Sequence, residues 1–188
     1  SQSSDWMKAG TYTLSISGAV EHPLTLTLSD LQALPAVEQM RTLECIGNPS
    51  GGSLIGNAVW KGVRLRDVLA TAGLRSSASE IRFACADDYS TSIPVALATH
   101  PDALLVYDMN GRPLPNEHGA PLRALFPGRY GMKQPKWISG IEAITQPYLG
   151  FWERQGGSND AISRVNSRIV TPDDSDVIAA GSYPVSGV

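Results

Sequence analysis

Short strand-like segments interleaved with few helical ones predict an α+β domain built on mixed sheets. Three observations carry that reading: apolar residues alternate in brief runs along most of the chain, a single longer stretch keeps near-helical spacing up to a glycine, and Gly, Pro and Asn punctuate the boundaries. With 188 residues, 42% of them hydrophobic and 18% charged, the chain is long enough for one full core and apolar enough to offset the entropy of ordering it.

The elements follow in order. Tyr12, Leu14 and Ile16 alternate with polar residues, as do Leu24, Leu26 and Leu28, and Gly18 and His22-Pro23 lie between them, so a hairpin of half-buried strands is expected. Ser29 is the expected N-cap of a short helix that ends near Pro35. Residues 37–45 read as a strand running into "IGNPSGG", a loop too rich in small and polar residues for helix or strand. In "AVWKGVRLRDVLATAGL", Val63, Leu65, Val68, Leu69 and Ala72 predict a helix entered through a turn that contains Trp60 and stopped at Gly73. Next come a strand, an acidic turn at Asp87-Asp88 and a short helix after Pro94, then a strand closed by the Asn110-Gly111 turn signal. Residues 119–137, rich in Gly, Pro and basic side chains, read as one long loop, which is uncommon in a compact domain unless a function orders it. "KWISGIEAI" returns to strand; beyond Trp152 the chain is polar, with short β pieces near the C-terminus.

A net charge of −3 leaves no basic surplus for phosphate backbones, so nucleic acid is not an expected partner. No apolar run approaches the roughly 18 residues of a membrane span, so membrane contact is expected only through a segment upstream of Ser1. Two cysteines, Cys45 and Cys85, make no disulfide framework, and neither has the CxxC or Cys/His company of structural zinc.

Cys45 admits several readings. Free cysteine packs well as a small core hydrophobe; as a thiolate it is a nucleophile or soft-metal ligand; with Cys85 as resolving partner it would be a redox sensor. Cys85 itself lies in the alternation Ile81-Phe83-Cys85 and reads as core. His118 stands in "NEHGAPLRALFPGRYGMKQPKW", where Arg123, Arg129, Lys133 and Lys136 crowd together in an acidic chain. That run is either a solvated basic face or a cradle for a phosphate-bearing cofactor. There is no GxGxxG, P-loop or GxSxG.

Taken in order, "TLECIGN", "AVWKGVRLRDVL", "DDYSTSIP" and "LLVYDMNGRPLPNEHGAPLRALFPGRYGMKQPKW" resemble the molybdopterin-binding domain of the sulfite oxidase family over residues 12 to 153. The resemblance implies a mixed-sheet, three-layer β/α/β-like fold, with residues 1–170 as the oxidoreductase domain. It further implies that residues 171–188 are a C-terminal β extension, similar to the start of that family's immunoglobulin-like dimerisation domain.

It also implies one molybdenum, held by the dithiolene of a single molybdopterin and by the Cys45 thiolate, a soft ligand for a redox metal. His118, Arg123 and Lys136 match the family's cofactor-holding groups, joined by main-chain contacts from Gln134-Pro135 and by Asp88. Trp60 matches its pocket tryptophan, and Tyr148 is similar to the tyrosine that assists oxygen-atom transfer. The expected substrate is a small oxyanion or a sulfoxide, and the expected redox partner a cytochrome or quinone-linked subunit; the location is extracytoplasmic, with the cytoplasm as the alternative. Animal and plant sulfite oxidases carry an arginine a few residues past the ligand cysteine, where this chain has Ser50 and Gly51. That departure weakens sulfite as substrate. A module that keeps the fold without the metal is the non-catalytic alternative.

Overall fold

A computed structural model describes residues 10–165, 167, 169–173 and 175–187; residues 1–9 of the expected first domain lie outside them. Among the described residues, two five-stranded sheets and three short helices make up most of the fold. The first sheet has the order β2-β1-β10-β5-β6, from Leu24–Thr27, Thr13–Gly18, Ile138–Ile144, Glu80–Cys85 and Ser90–Pro94. It is mixed, because β1 runs parallel to β10 while the other pairs are antiparallel. The second sheet has the order β3-β4-β7-β8, from Ala36–Glu44, Ile55–Arg64, Leu104–Met109 and Arg112–Pro113, and β9, Arg123–Leu125, also pairs with β7. A separate antiparallel pair joins β11, Ile169–Thr171, to β12, Ser186–Gly187.

The first core fills the space shared by both sheets and the helices α1 (Leu28–Gln32), α2 (Leu65–Ala72) and α3 (Val95–Ala98). Leu14, Ile81 and Phe83 enter it from the first sheet, Leu105 and Ala124 from the second, and Leu65 and Leu69 from α2. Burying each such side chain is worth about 1.5–3 kcal/mol. A smaller cluster of Ala58, Trp60, Leu104, Val106, Leu114 and Leu125 draws on alternate positions of the second sheet. Period-two patterning explains the division, since neighbouring residues such as Leu104 and Leu105 point to opposite faces.

The α+β class and the leading hairpin are as the patterning predicts. Four details differ. The cap of α1 is Thr27, whose hydroxyl accepts from the Asp30 N–H at 3.1 Å while the Asp30 carboxylate accepts from the Thr27 N–H at 2.8 Å; a capping box outcompetes the simpler cap expected at Ser29. Residues 55–64 form a ten-residue strand, so Trp60 lies in the sheet and not in a turn, and the helix begins only at Leu65. Gly73 does end that helix, in the left-handed conformation with φ 70°. Finally, β6 follows the acidic turn, and the 119–137 segment contains β9 and a 3-10 turn at Gly131–Lys133, so it is an ordered connector.

Candidate cofactor site

Cys45 emerges just after β3 ends at Glu44, with its N–H held by the Leu54 carbonyl at 3.0 Å. The Asn48 side chain fixes the turn, donating to Glu44 Oε1 at 3.0 Å and accepting from the Leu54 N–H at 2.9 Å. The thiol is exposed and free, which rules out the core-hydrophobe reading. It faces a cavity of about 730 Å³. Cys85 is buried and desolvation pushes its thiol up to about 12, so the core reading holds there.

The acidic turn supplies one side of the cavity. Asp88 sits at φ 63° between β5 and β6, with its N–H bonded to the Cys85 carbonyl at 3.2 Å, and Asp87 and Asp88 both line the space. Gln134, Pro135 and Lys136 line it from the end of the long connector. The buried Gln134 side chain is committed within the protein: Nε2 donates to the Phe126 and Arg129 carbonyls and Oε1 accepts from the Phe126 N–H. Its own N–H donates to the Gly131 carbonyl at 2.9 Å, and proline has none. Any main-chain contact from this turn would therefore come from its carbonyl oxygens, each of which has a second lone pair.

Behind Lys136 lies the basic cluster. Arg123 is 5% exposed, with its guanidinium 5.1 Å from the centre of the Trp60 ring and its Nη groups on the His118 and Gln134 carbonyls at 3.0 and 3.4 Å. Among the described residues no carboxylate bridges it, Nε lacks a hydrogen-bond partner, and burial pulls its pKa down to about 10. Lys136 Nζ donates to the Glu117 carbonyl at 3.0 Å and lies 4.0 Å from the centre of the Trp137 ring. Burial and the Arg123 cation hold its pKa below the ordinary lysine value, with Asp87 acting the other way. The His118 ring meets Trp60 edge-on at 6.5 Å. Trp60 thus packs under the basic cluster, not on the cavity wall.

Tyr148 is not brought to the cavity. Its hydroxyl pairs with Ser90 Oγ at 2.8 Å, and the Arg82 and Arg154 guanidinium groups lie 4.8 and 5.9 Å from its ring centre. Aromatic lining comes instead from Tyr89, Trp137, Phe151 and Trp152, with Met132 among them. Reading the sequence also missed a buried ion pair, Lys133 Nζ with Glu153 Oε1, whose side chains are 2% and 0% exposed. Its partners are 20 residues apart, so no local pattern announces it.

The donor set can be tested against a cofactor. No three His, Cys, Asp or Glu side chains converge among the described residues; Cys45 offers a single sulfur, which suits a metal whose other ligands come with a cofactor. A buried guanidinium lacking a counter-charge is suited to an anionic group, and carboxylates at the acidic turn suit a hydrogen-bond-donating heterocycle. The residues present fit a sulfur-ligated metal carried on an anionic organic group. Fold and site together suit a domain that binds an anionic, metal-carrying cofactor.

Comparison with known proteins gives the family. Residues 2–152 match the oxidoreductase molybdopterin binding domain, and the chain belongs to that family, which includes the sulfite oxidases. Its cofactor is molybdenum-molybdopterin. The chain is 36% identical over 145 residues to the uncharacterized oxidoreductase YuiH of Bacillus subtilis, covering 77% of this chain and 71% of that protein. It is 33% identical to the sulfite oxidase of Arabidopsis thaliana, covering 75% of this chain and 44% of that one. It is 36% identical to YedZ1 of Azospira oryzae, a candidate protein-methionine-sulfoxide reductase subunit, covering 79% and 55%. The crystal structure of the sulfane dehydrogenase SoxCD from Paracoccus pantotrophus shares the fold at TM-score 0.69 and 27% identity, over 74% of this chain and 39% of that one. The chain thus spans about half the length of several relatives or less.

Proposed function

We propose that the protein is a molybdopterin-dependent oxidoreductase that moves an oxygen atom to or from sulfur in a two-electron step, with Cys45 as the protein's metal ligand. The observation that carries this is the exposed Cys45 thiol facing a cavity backed by a buried arginine without a carboxylate partner among the described residues. When bound, the cofactor supplies the two-electron chemistry and the exchangeable oxygen. Cys45 would hold the metal end, Asp88 the pterin, and Lys136 with Arg123 and His118 the anionic end.

Between the two substrate classes, the lining favours a neutral sulfoxide over sulfite. Among the described residues, Lys136 is the one cationic side chain on the cavity wall and is engaged with the Glu117 carbonyl, whereas Ile46, Met132, Phe151 and Trp152 present apolar surface. A dianion needs convergent cations; a thioether or sulfoxide needs an apolar pocket with few polar points. In the reaction the sulfoxide takes up two protons and two electrons, its sulfur–oxygen bond breaks, and the products are the thioether and one water. A cytochrome or quinone-linked subunit delivers the electrons. The designation of the Azospira relative as a subunit supports such a partner. We place the protein outside the cytoplasm; fractionation of the native host tests that.

The test is molybdenum per chain after expression in a host that makes the cofactor, followed by reduction of methyl sulfoxides and oxidation of sulfite with artificial electron carriers. Wild type should hold close to one metal and reduce sulfoxide, and Cys45→Ser should lose activity by at least about 100-fold. Metal-free wild type, or Cys45→Ser with full activity, rejects the reading in favour of a non-catalytic binding module.

A further inference from the structure

We propose that the buried Lys133–Glu153 ion pair is a positioning device: it fastens two walls of the cavity, the Met132 turn and the Phe151-Trp152 segment, to β6 and so sets substrate binding. The proposal rests on the oxygen-transfer reading above for its kinetic consequence, though not for its structural one.

Strand β6 is the edge of the first sheet, and both walls attach to its first residues and to Tyr89 before it. The Tyr89 hydroxyl donates to the Met132 carbonyl, and Lys133 Nζ donates to the Ser92 carbonyl at 2.9 Å. From the other wall, the Phe151 N–H donates to the Ser90 carbonyl at 2.9 Å and the Thr91 hydroxyl to Glu153 Oε1 at 2.8 Å. The Lys133–Glu153 contact closes the ring by joining the two walls directly. Gly150 lets the second wall seat this closely: a Cβ there would lie 2.3 Å from the Ser90 carbonyl oxygen and 2.7 Å from Glu153 Oε2.

Stability alone does not account for the charges. A buried ion pair seldom outperforms well-packed apolar residues, because desolvation cancels most of the attraction. Here the pair is also incomplete, since Glu153 Oε2 is buried with no hydrogen-bond partner among the described residues. What the charges add is direction, one geometry in which two loops and a strand edge meet. The walls so fixed carry Met132, Phe151 and Trp152, three of the apolar residues facing the Cys45 cavity.

The experiment compares wild type with Lys133→Met/Glu153→Leu, which removes both charges and leaves neither orphaned, and with Thr91→Val, which removes one hydrogen bond and no charge. Hydrogen exchange read by mass spectrometry on metal-free protein is the first measurement. The peptide carrying Phe151 and Arg154 should exchange about tenfold faster in the double variant, with β5 and β10 unchanged, and less markedly so in Thr91→Val. On loaded enzyme, KM for a methyl sulfoxide should rise about tenfold with kcat within a factor of about two. Unchanged exchange in a folded double variant, acceleration spread evenly over the core, or faster wall exchange without any change in KM overturns the proposal. If the double variant does not fold, Lys133→Gln/Glu153→Gln, which replaces the ion pair with neutral groups of similar shape, decides by the same exchange criterion. Inactive wild type with fastened walls counts against the oxygen-transfer reading, and the exchange data still decide whether the pair fastens them.

Discussion

Burying a guanidinium without a counter-charge is costly by several kcal/mol, yet Arg123 is 5% exposed with Nε unpaired among the described residues. Under the proposed function, it is held ready for the cofactor's anionic end. Arg123→Met should leave the thermal midpoint of metal-free protein unchanged or higher, and should reduce molybdenum content after expression; a large loss of metal-free stability would contradict this. The two thiols differ in the opposite sense. Native protein at pH 8 should react with one equivalent of a thiol reagent, at Cys45, and with two after unfolding. Cys85 ionises near 9 when solvated and near 12 in the fold. Its raised value contributes stability that is complete below pH 9 and is lost as the pH climbs toward 12, because only the unfolded thiol releases its proton there. Denaturant midpoints should fall across that window, and less steeply in Cys85→Ala.

At the level of elements, legibility followed the strength of local pattern. The hairpin of β1 and β2, the strand β3, the Gly73 stop and the Asn110-Gly111 turn all carry short-range signals, and the structure has each of them. Strand β4 was hidden because Gly56, Asn57 and Gly62 break its alternation and Val63-Arg64-Leu65 mimic a helix start; pairing of residues 55–63 with β3 and of residues 60–64 with β7 outweighs local preference. The capping box of α1 gives a direct check. Thr27→Ala should lower stability by about 1 kcal/mol, read as a shift in urea midpoint at constant slope, whereas Ser29→Ala should do much less.

For the molecule as a whole, chemistry was more visible than geometry. Cys45, Asp88 and Lys136 come from three separate segments and meet in one cavity, a grouping that the family resemblance implied and that residue type alone did not give for Asp88. Trp60 did not join them, because a strand side chain's facing depends on register, which is set by partners far away in sequence; Tyr148, in the loop after β10, is held instead against Ser90, Arg82 and Arg154. The apolar rim of Phe151 and Trp152 was likewise invisible, since an exposed aromatic looks like a core residue until the fold is known. Truncation inside the shared core tests the architecture: Leu105→Ala, at a fully buried position, should cost about 2–5 kcal/mol, measured by chemical denaturation.

The parallel pairing of β1 with β10 has a temporal meaning. Ser15 sits opposite Gly140, and the Tyr12 hydroxyl reaches the Ile138 carbonyl across 126 positions. During synthesis the N-terminal hairpin must therefore wait, one edge bare, until most of the polypeptide has left the ribosome. Such long-range closure makes folding slow, on the order of milliseconds to seconds. In a refolding experiment that delay should be matched by a lag before the molybdopterin can be captured, because Lys136 reaches its place only as β10 docks.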